Sequence, residues 1–146
     1  MKRAFEVSTV IDRPIAEVWR ELTDWERAPR WMKGVESMHA DPGTEVGATL
    51  VFRARGKTRE SGISALEPGR SLTLTSEQGN VTARYSYLLE AAGDRTRARL
   101  TADVEVRGFP WSLLGPLIRT AIRRTDSRQL ADFRAVAEAG SSGRPR

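Results

Sequence analysis

The chain contains no cysteine and a single histidine, His39, among its 146 residues. The absence of cysteine excludes disulfides, thiolate nucleophiles, iron–sulfur clusters and zinc sites built on cysteine. A single histidine excludes metal sites with two histidine ligands within one chain, and catalysis by paired histidines. We therefore expect no metal and no cofactor, and many common enzyme mechanisms are excluded.

Long apolar runs are absent too, since none approaches the roughly 20 residues that a membrane-spanning helix needs. The first residues alternate charged and apolar side chains and lack the apolar block of a secretory signal. These absences predict a water-soluble, cytoplasmic protein with no integral membrane segment. A hydrophobic fraction of 39% and a charged fraction of 29% are typical of globular domains. We expect one domain over residues 1–139, followed by a mobile tail, 140–146, that has no core-forming residue.

The net charge is +5, yet only three of the basic residues are lysine: Lys2, Lys33 and Lys57. Such a bias is typical of genome composition rather than of a polyanion site, so we do not expect nucleic acid as a partner. Four arginines crowd the last predicted helix: Arg119, Arg123, Arg124 and Arg128. A solvated helix face explains them most simply, since no aromatic platform for bases accompanies them. Binding of phosphate or RNA, or contact with a ribosome, is the alternative.

Hydrophobic periodicity predicts a strand, two short helices, six further strands and a long C-terminal helix. The first strand covers residues 3–11, and Pro14 suits the first position of the first helix. Asp24 is expected to cap the second short helix, which Pro29 limits. Six strands follow between short turns rich in glycine and proline, which favour antiparallel pairing: 35–41, 46–55, 58–67, 71–77, 80–91 and 95–107.

The last helix is predicted to run from Trp111 to Ala139. Its two apolar stripes are rotated by roughly 100° from each other, which predicts a bend near Arg124 to Gln129. The Gly115-Pro116 pair is expected to separate the first turn. The apolar residues from Trp111 to Ile122 are flanked by arginines and also suit a membrane surface, although core packing is the simpler explanation.

Two segments, "RPIAEVWRELTDWERAPRWMKGV" and "RTAIRRTDSRQLADFRAVAEA", together with the element order, resemble the START-like (SRPBCC) superfamily. The branch that they resemble is the polyketide cyclase/dehydrase group. This resemblance covers nearly the whole chain and implies an α+β helix-grip fold. In that fold a curved, seven-stranded antiparallel sheet wraps around the long C-terminal helix, two short helices follow strand 1, and a cavity lies between helix and sheet.

A strongly curved sheet cannot contact one straight helix along its whole length, so large side chains, water or a ligand must fill the gap. Trp25 and Trp31 are expected either to pack where the short helices close the sheet or to line the cavity. Alternation along the strands and the helix stripe supply the remaining candidates. The predicted ligand-binding residues are Trp25, Trp31, Phe52, Ile63, Leu74, Tyr85, Tyr87, Leu100, Trp111, Leu114 and Ile118.

Among the polar candidates, Tyr85 and Tyr87 combine an apolar ring with a hydroxyl that can orient a carbonyl or a phenol. Core tyrosines with satisfied hydroxyls are the simpler interpretation. His39 is expected on the outer face, because its neighbour Met38 is assigned to the inner one. Alternation likewise puts Arg53 and Arg55 outside. No residue is assigned a catalytic role.

Three functions remain open. The first is binding or carriage of a small apolar or aromatic ligand, the partner class that a cavity poor in titratable groups predicts. The second, implied by the resemblance, is an active polyketide cyclase or aromatase that folds a reactive chain and excludes water. The third is an interaction protein, like the quinone chaperones and the ribosome-associating toxin of related branches. The sequence leaves the ligand open, and the oligomeric state is a monomer or a homodimer.

Overall fold

The computed structural model describes residues 1–142, and side chains as far as residue 139. Within residues 1–142, seven strands, three α-helices and two short 3₁₀ helices follow one another. The strands are β1 Lys2–Ile11, β2 Val35–Asp41, β3 Thr49–Ala54, β4 Lys57–Glu67, β5 Ser71–Gln78, β6 Val81–Ala92 and β7 Arg95–Val106. The helices are α1 Ile15–Leu22, 3₁₀ Trp25–Arg30, 3₁₀ Trp111–Leu114, α2 Gly115–Asp126 and α3 Gln129–Ser142.

All neighbouring strands pair antiparallel in one sheet with the order β1-β7-β6-β5-β4-β3-β2. The pairing register shifts in three strands: between Arg3 and Phe5, between Val35 and Ser37, and between Ile63 and Ala65. Each shift inserts an unpaired residue on one strand, and such bulges bend a sheet and increase its twist. The resulting curvature leaves space between the sheet and the C-terminal helices. The α+β helix-grip fold predicted from the sequence is confirmed.

The C-terminal helix is interrupted where the two apolar stripes change direction. α2 ends at Asp126 and α3 begins at Gln129, so the predicted bend is present. α3 buries Leu130 and Phe133 in the core, whereas Ile118 and Ile122 of α2 are only half-buried. Both helices make their main sheet contacts with β1 and β7. Space therefore remains between α2 and the sheet, whereas α3 is packed against the core.

One bulge also fixes α2 to the sheet. The register shift in β1 leaves Ala4 without a ladder partner, and its carbonyl accepts a 2.9 Å hydrogen bond from Nε of Arg123. This contact compensates the buried carbonyl that the bulge takes out of the ladder. Arg123, expected on a solvated face, therefore has a structural role.

Trp31 lies in the core, with an exposed fraction of 2%. Its ring meets the Phe133 ring at 4.8 Å between centroids and the Tyr87 ring at 6.3 Å, both edge to face. Trp25 is also buried, and its indole Nε1 donates a 2.8 Å hydrogen bond to Oγ1 of Thr44. Both tryptophans therefore pack where the short helices close the sheet, and neither lines the cavity. Asp24 precedes the 3₁₀ helix, but its side chain makes no capping hydrogen bond.

The start of the long helix differs from the expectation. Trp111 and Leu114 were predicted to meet the sheet, but they lie in the 3₁₀ turn before α2 with exposed fractions of 53% and 41%. Phe109 beside them is 83% exposed. The prediction is wrong because a 3₁₀ turn does not continue the helical stripe that carries Ile118 towards the sheet.

None of the helices in the described part of the chain is long and apolar enough to span a membrane. The predicted mobile tail, 140–146, lies outside the residues whose side chains are described, and its mobility stays a prediction.

Candidate functional site

A cavity of about 540 Å³ opens between α2 and the concave face of the sheet. Its wall is mainly apolar, formed by side chains of β2, β3, β5 and β6 that alternate inward, and by α2. The members that matter below are Met38, Leu50, Phe52, Leu74, Ala83, Tyr85, Tyr87, Ile118 and Ile122. Residues 32–35, shortly after the second short helix, also line it.

Two tyrosines on β6 reach across the cavity to the helix break. The Tyr85 hydroxyl donates a hydrogen bond to Oδ2 of Asp126, and the Tyr87 hydroxyl donates one to Oε1 of Gln129. Successive inward positions on one strand are two residues apart, so the two hydroxyls lie side by side. Together with the two helix residues they form a polar row within a mostly apolar wall.

Burial governs the protonation of this row. It raises the pKa of the Asp126 carboxyl above its usual value, against the lowering effects of the Tyr85 hydrogen bond and of the Arg55 charge. Burial also raises the pKa of both tyrosines, and the negative charge of Asp126 adds to that shift. Both phenols therefore remain protonated donors at neutral pH. The row can donate hydrogen bonds through its phenols and accept a proton at Asp126.

The lining of the cavity carries positive charge from Lys33, Arg55 and Arg59. Arg55 was predicted on the outer face, and this prediction is wrong because β3 ends at Ala54. Arg55 adopts a left-handed conformation with φ of 52°, so the inside–outside alternation of the strand does not extend to it. Gly34 has φ of 83°, and a Cβ there would lie 3.7 Å from Nε of Arg55. Glycine thus gives the left-handed turn that the guanidinium packs beside.

The structure divides the predicted ligand-binding residues into three groups. Phe52, Leu74, Tyr85, Tyr87 and Ile118 line the cavity. Ile63 and Leu100 are buried in the core around it, as are Trp25 and Trp31. Trp111 and Leu114 are exposed outside the cavity lining. Ligand binding by the first group stays a prediction.

The expectation for His39 also has a definite outcome. His39 is exposed while Met38 is buried, as alternation predicted. Ser61 and Ser76 line the cavity, where their hydroxyls add to its polar atoms.

Sequence reasoning missed Asp126 and Gln129, because it considered only the apolar stripes and the arginines of this helix. A signal was nevertheless present. Ile118, Ile122, Asp126 and Gln129 recur at spacings of four, four and three, which places them on one helix face. The face that turns Ile118 towards the sheet must turn Asp126 in the same direction.

Residues 2–138 match the family model described as polyketide cyclase/dehydrase and lipid transport. The chain belongs to this family. No functionally curated protein is significantly similar to it in sequence.

Solved structures share the fold at low sequence identity. The Zhui aromatase/cyclase from Streptomyces sp. R1128 is 19% identical with a TM-score of 0.68, over 95% of this chain and 96% of that one. The di-domain ARO/CYC BexL from the BE-7585A biosynthetic pathway is 20% identical with a TM-score of 0.77. That match covers 97% of this chain but 48% of BexL, so this family member spans about half of the di-domain protein. Ara h 8.0201 is 16% identical with a TM-score of 0.69, over 91% of this chain and 95% of that one.

Proposed function

We propose that the protein binds a small apolar or aromatic molecule in the cavity between α2 and the sheet. The observation that carries this proposal is the cavity itself, because about 540 Å³ of space is held open by apolar side chains from both layers. Pockets for small ligands usually measure about 300–1,000 Å³ and combine apolar walls with a few polar groups. Family membership supports the same conclusion.

The polar row gives the ligand an orientation. A guest in contact with Leu74 and Phe52 would have Tyr85, Tyr87 and Asp126 at one side. The phenols can turn to donate to a carbonyl or hydroxyl of the guest, and Asp126 can accept from a phenol. A flat aromatic molecule with one or two oxygen substituents fits this wall best.

Filling the cavity tests the proposal. Ala83→Phe on β6 places a ring in the space that the ligand needs, whereas Ala91→Phe puts the same ring at an exposed position on the same strand. With 2-naphthol as the probe, calorimetric titration should show binding by the wild type and by Ala91→Phe. Ala83→Phe should lose at least about tenfold in affinity, which corresponds to roughly 1.4 kcal/mol. Circular dichroism confirms that each variant is folded. Equal affinity in all three proteins would place the probe elsewhere and overturn the proposal.

A second candidate function is cyclisation of a polyketide chain, and the Tyr85–Asp126 hydrogen bond favours it. A phenol donor beside a carboxylate can hold a carbonyl oxygen while the carboxylate accepts a proton from the adjacent carbon. A cavity that holds the chain in a folded conformation would favour ring closure over hydrolysis. Tyr85→Phe or Tyr87→Phe should then slow formation of aromatic product from a poly-β-ketone thioester. Wild-type turnover in both variants would remove the tyrosines from the mechanism.

The third function, contact with RNA or a ribosome through the arginine-rich helix, stays a prediction. Salt-sensitive binding to ribosomes would support it.

A further inference from the structure

Five large apolar side chains stand exposed at the start of the C-terminal helix. They follow β7 within nine consecutive positions, and together they form what we call the apolar cap: Phe109, Trp111, Leu113, Leu114 and Leu117. Their exposed fractions run from 41% for Leu114 to 83% for Phe109. Single exposed hydrophobic residues are ordinary, but such a cluster marks a surface that contacts something apolar.

The local backbone holds these side chains away from the core. Ser112 N donates to Gly108 O at 2.7 Å, and Leu113 N donates to Pro110 O at 3.1 Å. Trp111 and Leu113 lie in this tight turn and are exposed. In α2, Ile118 and Ile122 face the cavity, so Leu117 lies on another face of the helix. The cap is therefore independent of the cavity that the proposed function uses.

Positive charge borders the apolar cap. No Asp or Glu occurs between Glu105 and Asp126, whereas that segment contains Arg107, Arg119, Arg123 and Arg124. Arg124 is exposed and follows Leu117 by seven residues, which puts it on the same helix face about 10 Å further along. A groove beside the cap is lined by Leu113 together with Lys2, Glu105 and Arg119. These three charged residues carry a net charge of +1.

We propose that the apolar cap docks the protein on the surface of an anionic lipid bilayer. Interfacial segments combine Trp, Phe and Leu on one side with arginine or lysine bordering them, and they enter the bilayer by about 5–10 Å. The spacing of about 10 Å between Leu117 and Arg124 would put the guanidinium among lipid headgroups when the leucine reaches the acyl chains. Anionic lipids attract such cations when they lie near the surface.

Charge favours the bilayer over a second copy of the chain as the occupant of this face. A two-fold contact places the same patch on both subunits, so it would bring the arginines around one cap towards those around the other. Like charges brought together in this way weaken an interface. An anionic bilayer instead satisfies both the apolar side chains and the cations.

Vesicle flotation tests this inference with the full chain. Vesicles of phosphatidylcholine with phosphatidylglycerol should carry the protein upward, and vesicles of phosphatidylcholine alone should carry less of it. Leu113→Gln with Leu117→Gln should lower the bound fraction at least about tenfold. Val10→Ser with Val46→Ser is the matched control, because it removes two exposed apolar residues elsewhere and should change little. Arg124→Gln should reduce both binding and its sensitivity to salt.

Tryptophan emission supplies a second measurement. Trp25 and Trp31 are already buried and Trp19 is half-buried, so a blue shift on adding anionic vesicles would report mainly Trp111. Trp111→Phe should abolish most of that shift but keep flotation. The inference is overturned if the folded protein does not bind anionic vesicles. It is equally overturned if the double leucine variant binds them to the same extent as the wild type. It is also overturned if sedimentation without lipid shows that the wild type is a dimer and the double leucine variant is a monomer. Naphthol titration of the same variants keeps this result separate from the cavity proposal.

Discussion

The phenol of Tyr85, on the sheet, donates a hydrogen bond to the carboxylate of Asp126 at the end of α2. The neighbouring Tyr87 hydroxyl makes the equivalent bond to Gln129 at the start of α3. These two contacts join the sheet to the helix pair on both sides of the break. They fix the distance between the sheet and the helices at the point where α2, which borders the cavity, is followed by α3, which packs in the core.

Asp126→Asn should change how stability depends on pH. The pKa of Asp126 is raised in the folded chain by burial, so folding favours its protonated form. The stability contributed by this group is full below the ordinary carboxyl pKa of about 3.9. It is lost as the pH rises through the folded-state value. The asparagine variant lacks this loss. The free energy of unfolding of the variant, relative to that of the wild type, should therefore increase from about pH 4 to about pH 7. Urea unfolding at both pH values measures this, with the exposed Glu60→Gln as control; a gain towards low pH would contradict the assignment.

Arg55→Gln and Arg59→Gln should make the cavity less selective for anionic guests. Both residues line the cavity, and the charge of Arg55 lowers the pKa of Asp126. Affinity for 1-naphthylacetate should fall in each variant because one positive charge is removed. The loss should be only about three- to tenfold, since solvent screens these partly solvated side chains. Affinity for the neutral 1-naphthylacetamide, measured by the same calorimetric titration, should stay within about twofold. Arg53→Gln is the control, because Arg53 is exposed and pairs with Glu36. Equal losses for both ligands would show that the arginines shape the cavity rather than supply its charge.

Trp31→Ala and Trp111→Ala should differ widely in stability. Trp31 packs edge to face on Phe133 and Tyr87 in the core, so its removal should cost roughly 3–5 kcal/mol. Trp111 is exposed, and its removal should change the free energy of unfolding by no more than about 0.5 kcal/mol. Urea unfolding followed by circular dichroism measures both values. Comparable losses in the two variants would mean that Trp111 is packed after all.

Alternation predicted the sheet well because each strand has one buried and one wet face. β2 begins and ends at the predicted residues, and Tyr85 and Tyr87 lie on the inner face as expected. Local spacing fails where the regular element ends. Arg55 comes one residue after β3 in a left-handed conformation, and the period of two says nothing about its direction.

The helix shows a different limit of sequence reasoning. Two apolar stripes with different directions correctly predicted the break between Asp126 and Gln129. Hydrophobicity alone, however, does not distinguish a residue that packs inside from one that contacts another surface, and this misplaced Trp111 and Leu114. The inward position of Asp126 follows from its spacing to Ile118, but its partner Tyr85 is 41 positions away in sequence.

The central claim is that the space between α2 and the sheet admits a guest. A crystal grown with 6-bromo-2-naphthol tests it most directly, because anomalous scattering locates the bromine without reference to the protein atoms. The account predicts a peak inside the cavity, with the naphthol ring against Leu74 and its hydroxyl next to Tyr85 or Tyr87. A cavity filled by the protein's own side chains, with bromine absent from it at saturating naphthol, would contradict the account.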